Sequence, residues 1–396
     1  MLFDIIHLLR DSFGVKIPLV FEYVSTRMLL AAITSLMISI FLGPYFIRKL
    51  YELKIGQSIR TEDCPLLGEL HSKKKDTPTM GGMLILFSML VSMILWMDLR
   101  HVFTLILLVT TLVLGFLGGR DDYLKLKYKN PKGLSGKKKL LIQLLLGGGL
   151  AAYLLIPSVN SVLQIGDWFV PPVVKEQNEQ VLSLSEYSSR IYIPFFKDPL
   201  FVFSGILALL SACLMIFSVT GASNAVNLTD GLDGLAAGCL IMTGTCLALI
   251  GFVSNNVDLA QYLNILYIEG SGEIAIYLSA FVGACIGFLW YNGHPAQVFM
   301  GDTGSLALGG ILGVSAVLLR RELLLGLVGG VFVAEAMSVI LQVGSYKLRN
   351  KKRIFLCSPL HHHFEYQGWH ETKVVVRFWI VALILAILGV ASLKFQ

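Results

Sequence analysis

Strongly apolar runs alternate with short polar breaks along nearly the whole chain. Ten runs, at about 24–46, 79–97, 102–118, 140–156, 200–219, 235–253, 274–290, 303–319, 323–344 and 376–394, approach the roughly 20 residues a helix needs to cross a ~30 Å hydrocarbon layer. Their apolarity is continuous rather than alternating, so the pattern predicts helices and not barrel strands. Gly147-Gly148-Gly149, Gly309-Gly310 and Gly329-Gly330 fall inside runs, where small residues let helices pack closely. One stretch breaks the rhythm. Residues 157–199 are polar, with Pro171-Pro172 and a Ser-rich segment, and connections this long without periodicity are usually functional or disordered. Within it, Ile191 to Phe196 reads as a short strand or a membrane-surface contact.

Composition fixes the class as an all-α, polytopic integral membrane protein. Of 396 residues 55% are hydrophobic and 15% charged, with mean hydropathy +0.72, beyond what a water-soluble core requires. The whole chain, 1–396, reads as one transmembrane domain with a polar insertion at 157–199. Most of the 32 Lys and Arg fall in alternate loops, at about 47–78, 120–139 and 345–375. That bias predicts an amino terminus outside and these loops in the cytoplasm, although Arg320-Arg321 in a tight outer turn runs against it. The insertion then lies across the membrane from the acids, so its replacement by a short linker is expected to spare activity. No cleavable signal peptide is expected, since Met1 to Val20 has no sustained apolar core. Six cysteines include no C-x-x-C pair, and those within runs read as small hydrophobes.

The chemistry sits in the polar breaks. Gly118 to Lys125 contains Asp121-Asp122 at the end of a run, and adjacent like charges favour a bound cation or a raised pKa; a solvated helix end with basic residues on anionic lipid is the plainer reading. The string Asn224 to Gly234 spaces Asn224, Asn227, Asp230 and Asp233 by three, which on a helix would place them on one face, where a capping box would use only one or two. Asp302 opens another run after Tyr291 to Gly301; alone it is explained as a favourable charge at a helix N-terminus. His361-His362-His363 could bind metal, contact diphosphate or handle protons, but consecutive residues of a helix point in three directions. Lys73 to Gly82 is a basic, Pro/Gly-bearing approach to a run that an inner-leaflet anchor would also explain.

Taken in order, Thr77-Pro78-Thr79-Met80-Gly81-Gly82, Asp121-Asp122-x-x-Lys125, Asn227-x-x-Asp230-Gly231-x-Asp233-Gly234, Phe299-Met300-Gly301-Asp302 and His361-His362-His363 resemble the phospho-N-acetylmuramoyl-pentapeptide transferase family over nearly the whole chain. The resemblance implies about ten transmembrane helices, an active-site cleft facing the cytoplasm of a bacterial inner membrane, and a homodimer. It implies transfer of phospho-MurNAc-pentapeptide from UDP-MurNAc-pentapeptide to undecaprenyl phosphate, giving lipid I and UMP, with membrane lipid as a partner and no nucleic acid. It implies Mg²⁺ on Asp302, aided by Asp122 or Asp230. Catalytic roles fall to Asp121, Asp122, Asp302 and His361, His362 and His363, with Asp121 nearest the lipid phosphate. Substrate contacts fall to Lys74, Thr79, Lys125, Asn227, Asp230, Gly231, Leu232, Asp233, Asn292 and Phe299, the last stacking on uracil. Asp76 stands where the family generally has glycine, His370 where proline is usual, and the 157–199 segment is longer than in most members. A related polyprenyl-phosphate N-acetylhexosamine-phosphate transferase would share the aspartates but not the His361 to Glu365 string. A cation-coupled transporter should hold its acids near the midplane, and a scaffold protein has no use for them.

Overall fold

The computed structural model describes residues 10, 13, 18–53, 77–128, 133–164, 168–176 and 181–394. The apolar runs become α1 (Val24–Glu52), α2 (Gly82–Trp96), α3 (Val102–Lys127), α4 (Gly136–Leu155), α7 (Ala208–Thr229), α8 (Leu235–Ser254), α10 (Ser271–Asn292), α11 (Gly301–Leu318), α13 (Gly330–Leu348) and α15 (Glu371–Lys394). Shorter helices α5 (Pro157–Leu163), α6 (Leu184–Ser189), α9 (Val257–Tyr262), α12 (Glu322–Val328) and α14 (Leu360–Tyr366) join them. Among the described residues nine helices are long and apolar enough to span a bilayer.

Two of the ten expected spans differ in form. Helix α2 has 15 residues, about 22 Å at 1.5 Å per residue, because Pro78 to Gly82 is taken up in backbone pairing with Phe299 and Met300. The run at 323–344 is broken at Gly329 into α12 and α13; two successive glycines are poor helix formers, and glycine pairs are common kink points.

Helices α10 and α11 are enclosed on nearly every side, whereas α1, α7, α13 and α15 keep an apolar face outward. The enclosure is built from small residues. The buried stripe of α1 runs Arg27, Ala31, Ser35, Ser39, Gly43, Ile47 and Leu50, and α10 lies so close that a Cβ on Gly283 would fall 2.1 Å from the Ala32 carbonyl oxygen. Gly309 and Gly313 of α11 do the same against α7. The Gly147 triplet behaves otherwise: Gly147 faces Ile216, while Gly148 and Gly149 have open space.

The described parts of the 157–199 insertion form short helices and strands and are anchored to the bundle. Strands β1 (Val174–Lys175) and β2 (Val181–Leu182) pair antiparallel, β1 also pairs antiparallel with β5 (Tyr267–Ile268), and β3 (Arg190–Ile191) pairs with β4 (Phe201–Val202). The Ile191 segment is thus strand at its start. Tyr187, fully buried, donates its hydroxyl to the Leu318 carbonyl. Arg320, also fully buried, donates from Nη2 to the Arg190 carbonyl at 2.6 Å and pairs through Nη1 with Glu322 at 2.5 Å. The expected separable loop is instead tied to the C-terminal end of α11, because a guanidinium buried at a span end must find acceptors and the insertion supplies one.

Candidate active site

The acids converge where α3 meets the start of α11. Helix α3 runs on past the apolar run to Lys127, so Asp121, Asp122 and Lys125 occupy its last turns. Asp122 Oδ2 accepts from the Thr303 backbone N–H at 2.8 Å and its hydroxyl at 2.6 Å, and Oδ1 accepts from the Asp302 N–H at 3.2 Å. A helix start leaves backbone N–H groups unpaired, and α11 has no capping side chain of its own; Asp122 supplies the cap from a neighbouring helix. Asp302, held by this junction, directs Oδ2 at Lys125 Nζ (3.0 Å) and Lys139 Nζ (2.6 Å), and Oδ1 accepts from Asn227 at 3.0 Å. Asp121 Oδ2 meets the same two ammoniums at 2.7 and 2.8 Å, and Oδ1 accepts the Leu134 N–H at 2.6 Å. Oxygen atoms of Asp121, Asp122 and Asp302 lie within 4.8 Å of one another.

The Thr77 to Gly82 string packs behind this cluster. Phe299 N–H donates to the Pro78 carbonyl, Gly81 N–H to the Phe299 carbonyl and Gly82 N–H to the Met300 carbonyl, each at 2.8 Å. Gly301, at φ +73°, has room for no side chain: a Cβ would sit 2.8 Å from both Asp122 Oδ2 and Thr79 Oγ1. Thr79 is buried and Phe299 half-buried. Lys74 and Asp76 lie outside the described residues.

The Asn224 to Gly234 string divides. Helix α7 ends at Thr229, so the expected common face stops there. Asn224 donates to Gln143 at 2.8 Å, and Asn227 to Asp302 and to Ser305 at 2.8 Å. Asp230 lies in the turn; burial, then the carboxylates of Asp302 and Asp122, push it up to about 7. Gly231 is exposed and Leu232 buried. Gly234, at φ +78°, opens α8 and donates to Asn292 Oδ1 at 3.0 Å, while Asn292 Nδ2 donates to the Val298 carbonyl at 2.8 Å. Asn292 therefore clamps this turn to the Phe299 loop. Asp233 turns away from the acid cluster: its Oδ2 meets His294 Nδ1 at 3.0 Å and the Ala296 N–H at 3.1 Å, and its own N–H donates to Glu371 at 2.9 Å.

The three histidines on α14 splay as their spacing requires. His361 is buried against Glu335 of α13, His362 pairs with Glu365 at 2.7 Å, and His363 Nδ1 accepts the Leu356 N–H at 3.2 Å. Sequence reasoning had no means of choosing Lys139 from a run of three lysines, nor Thr303, His294 and Glu371 from among ordinary polar residues. Glu335, a lone acid within an apolar run, did carry a signal.

This set of oxygens and ammoniums, gathered at one end of a membrane-spanning bundle, suits chemistry on a phosphate-bearing group. The glycosyl transferase family 4 profile matches residues 104–320, and the phospho-N-acetylmuramoyl-pentapeptide-transferase signature 1 matches residues 74–86. The chain is 68% identical over 410 residues to the phospho-N-acetylmuramoyl-pentapeptide-transferase of Protochlamydia amoebophila (strain UWE25), covering 100% of both chains. It is 46% identical over 377 residues, 95% of each chain, to that of Desulfotalea psychrophila (strain LSv54 / DSM 12343), and 45% identical over 397 residues, 100% of each, to that of Thermodesulfovibrio yellowstonii (strain ATCC 51303 / DSM 11347 / YP87). With the full length aligned and the signature segment seated behind the acid cluster, the chain belongs to the phospho-N-acetylmuramoyl-pentapeptide-transferase family.

Proposed function

We propose that this multi-pass membrane enzyme transfers phospho-MurNAc-pentapeptide from UDP-MurNAc-pentapeptide to undecaprenyl phosphate, forming lipid I and releasing UMP. The observation that carries the reading is the meeting of Asp121, Asp122, Asp302, Lys125 and Lys139 at the end of spanning helices, in a chain aligned end to end with curated transferases of this name. An oxygen of the lipid phosphate attacks the β-phosphorus of the nucleotide sugar, and the bond to the α-phosphate breaks with its electron pair leaving on UMP. Asp121, with one oxygen anchored by the Leu134 N–H, accepts the proton of the lipid phosphate. Lys125 and Lys139 offset the negative charge that shifts onto the leaving phosphate.

The donor set fits a hard divalent ion. Asp121, Asp122 and Asp302 offer only carboxylate oxygens within 4.8 Å of one another, the ligand type that Mg²⁺ takes. When bound, Mg²⁺ supplies positive charge that offsets the diphosphate as its bond breaks. Phe299 and Asp233 fall to the uridine side, with Lys74, Thr79, Asn227, Gly231 and Leu232; His361 to His363 fall to the diphosphate side. The lysine-rich loops favour the cytoplasmic side of a bacterial inner membrane for this end of the bundle, and the family resemblance favours a homodimer. Purified protein should release UMP from UDP-MurNAc-pentapeptide only when polyprenyl phosphate and Mg²⁺ are both present. Equal or faster release from UDP-N-acetylhexosamine would move the enzyme to the sister branch.

A further inference from the structure

The run that becomes α13 carries one acid, Glu335, shortly after the break at Gly329. Its side chain is fully buried, and a carboxylate within a membrane protein is costly enough that it usually serves a site. Its partner is on α14. Glu335 Oε1 accepts the His361 backbone N–H at 3.1 Å, and Oε2 lies 3.2 Å from His361 Nδ1. The imidazole itself is buried, 1% exposed, and among the described residues neither ring nitrogen makes a well-directed hydrogen bond, although Nδ1 lies within ion-pair reach of the Glu335 carboxylate. The Nε2 nitrogen points at the turn that carries Asp230: an ideal Cβ on Gly231 would fall 2.3 Å from it, so glycine is what lets the ring approach. Buried polar atoms are normally paired; Nδ1 has the Glu335 carboxylate 3.2 Å away, whereas Nε2 has no such charged neighbour among the described residues.

We propose that Glu335 is a positioning residue for the transfer reaction, holding the Nδ1 side of His361 so that Nε2 meets a phosphoryl oxygen of the nucleotide–sugar diphosphate beside Gly231. In the substrate complex Nδ1 stays against the Glu335 carboxylate while Nε2 meets the phosphoryl oxygen, so each ring nitrogen has a charged acceptor within reach. Carboxylates that orient a histidine in this way typically matter by 10–100-fold when removed from metal-bound histidines, and an effect of about that size is expected here. The identity of the anion rests on the transferase reading above; the Glu335–His361 contact does not.

Glu335→Gln tests the idea, because the amide keeps the shape and the acceptor for the His361 N–H but removes the charge. Expected are a melting temperature near that of the wild type, a kcat for UMP release lower by about 10–100-fold and a KM for UDP-MurNAc-pentapeptide within about threefold, since the charge on the diphosphate grows as its bond breaks. Glu335→Asp should recover part of the kcat, and adding Glu335→Gln to His361→Gln should bring no further loss. A kcat within about twofold of wild type in Glu335→Gln, or losses that multiply in the double variant, overturns the proposal. Should Glu335→Gln fail to fold, nitrogen-15 spectra of histidine-labelled wild-type protein decide the matter: a protonated Nδ1 on His361 and an Nε2 signal that moves on adding UDP-MurNAc-pentapeptide are expected, and an unprotonated Nδ1 refutes it. Absence of UMP release by the wild type would instead remove the transferase reading.

Discussion

Asp302 meets Lys125, Lys139 and Asn227 at once, and its neighbour Gly301 meets Asp122 and Thr79 with no space left over. These two adjacent residues should fail in different ways. Asp302→Asn keeps the shape and loses the charge, so the protein should fold, lose turnover by roughly two orders of magnitude or more, and recover at best in part with excess Mg²⁺. Near-normal turnover with unchanged Mg²⁺ dependence would leave Asp302 as no more than a helix-end charge, a role of about 0.3–1 kcal/mol. Gly301→Ala places a Cβ against the cap of α11 and asks a side chain to adopt φ +73°, a backbone cost of roughly 1–2 kcal/mol before the collision is counted. A lowered melting temperature together with lost activity is expected. A variant as stable and active as wild type would mean that the Asp122 cap relaxes without consequence.

Element boundaries explain what was and was not legible. The apolar runs foretold the spanning helices because continuous apolarity needs no knowledge of neighbours, and the polar breaks held Asp121, Asp122 and Asp302, whose carboxylate oxygens the structure brings within 4.8 Å of one another. The run at 79–97 and the run at 323–344 misled, since backbone pairing of Pro78 to Gly82 with Phe299 and the break at Gly329 depend on tertiary partners. The fate of Asp233 was illegible for the same reason: only the end of α7 at Thr229 sends it to His294 instead of to Asp302. The insertion shows the largest gap. Its expected place across the membrane from the acids suggested a dispensable loop, but Tyr187 and the Arg190 carbonyl hold the α11–α12 turn. Replacing about 160–195 by a Gly/Ser linker is therefore expected to leave Arg320 short of acceptors and to lower thermal stability in detergent, with activity lost through unfolding. A deletion protein that melts at the wild-type temperature would restore the insertion to the status of an appendage.

At the scale of the whole molecule the acid cluster and the anchored insertion occupy opposite ends of α11, from Asp302 to Leu318. The lysine bias predicts that the acid end lies inside, which cysteine labelling can check: Lys352→Cys should react with a membrane-impermeant maleimide in inside-out vesicles and stay protected in right-side-out ones. The reverse pattern would invert the topology. Direct attack by the lipid phosphate further predicts no exchange of labelled UMP into UDP-MurNAc-pentapeptide once all polyprenyl phosphate is removed. Robust lipid-free exchange, abolished in Asp121→Asn, would point to a covalent enzyme intermediate instead.

The pairing of Lys125 and Lys139 with Asp121 and Asp302 also sets the order of events at the door of the site. Three carboxylates against two ammoniums leave the resting cluster with a surplus of negative charge. A diphosphate arriving by itself would meet repulsion and find both lysines already engaged. A divalent ion reverses that balance and frees the lysines to turn toward phosphate. Nucleotide and cation should therefore enter as partners: the apparent affinity for UDP-MurNAc-pentapeptide should rise steeply with Mg²⁺, and nucleotide affinity independent of Mg²⁺ would mean that the lysines part from their acids unaided.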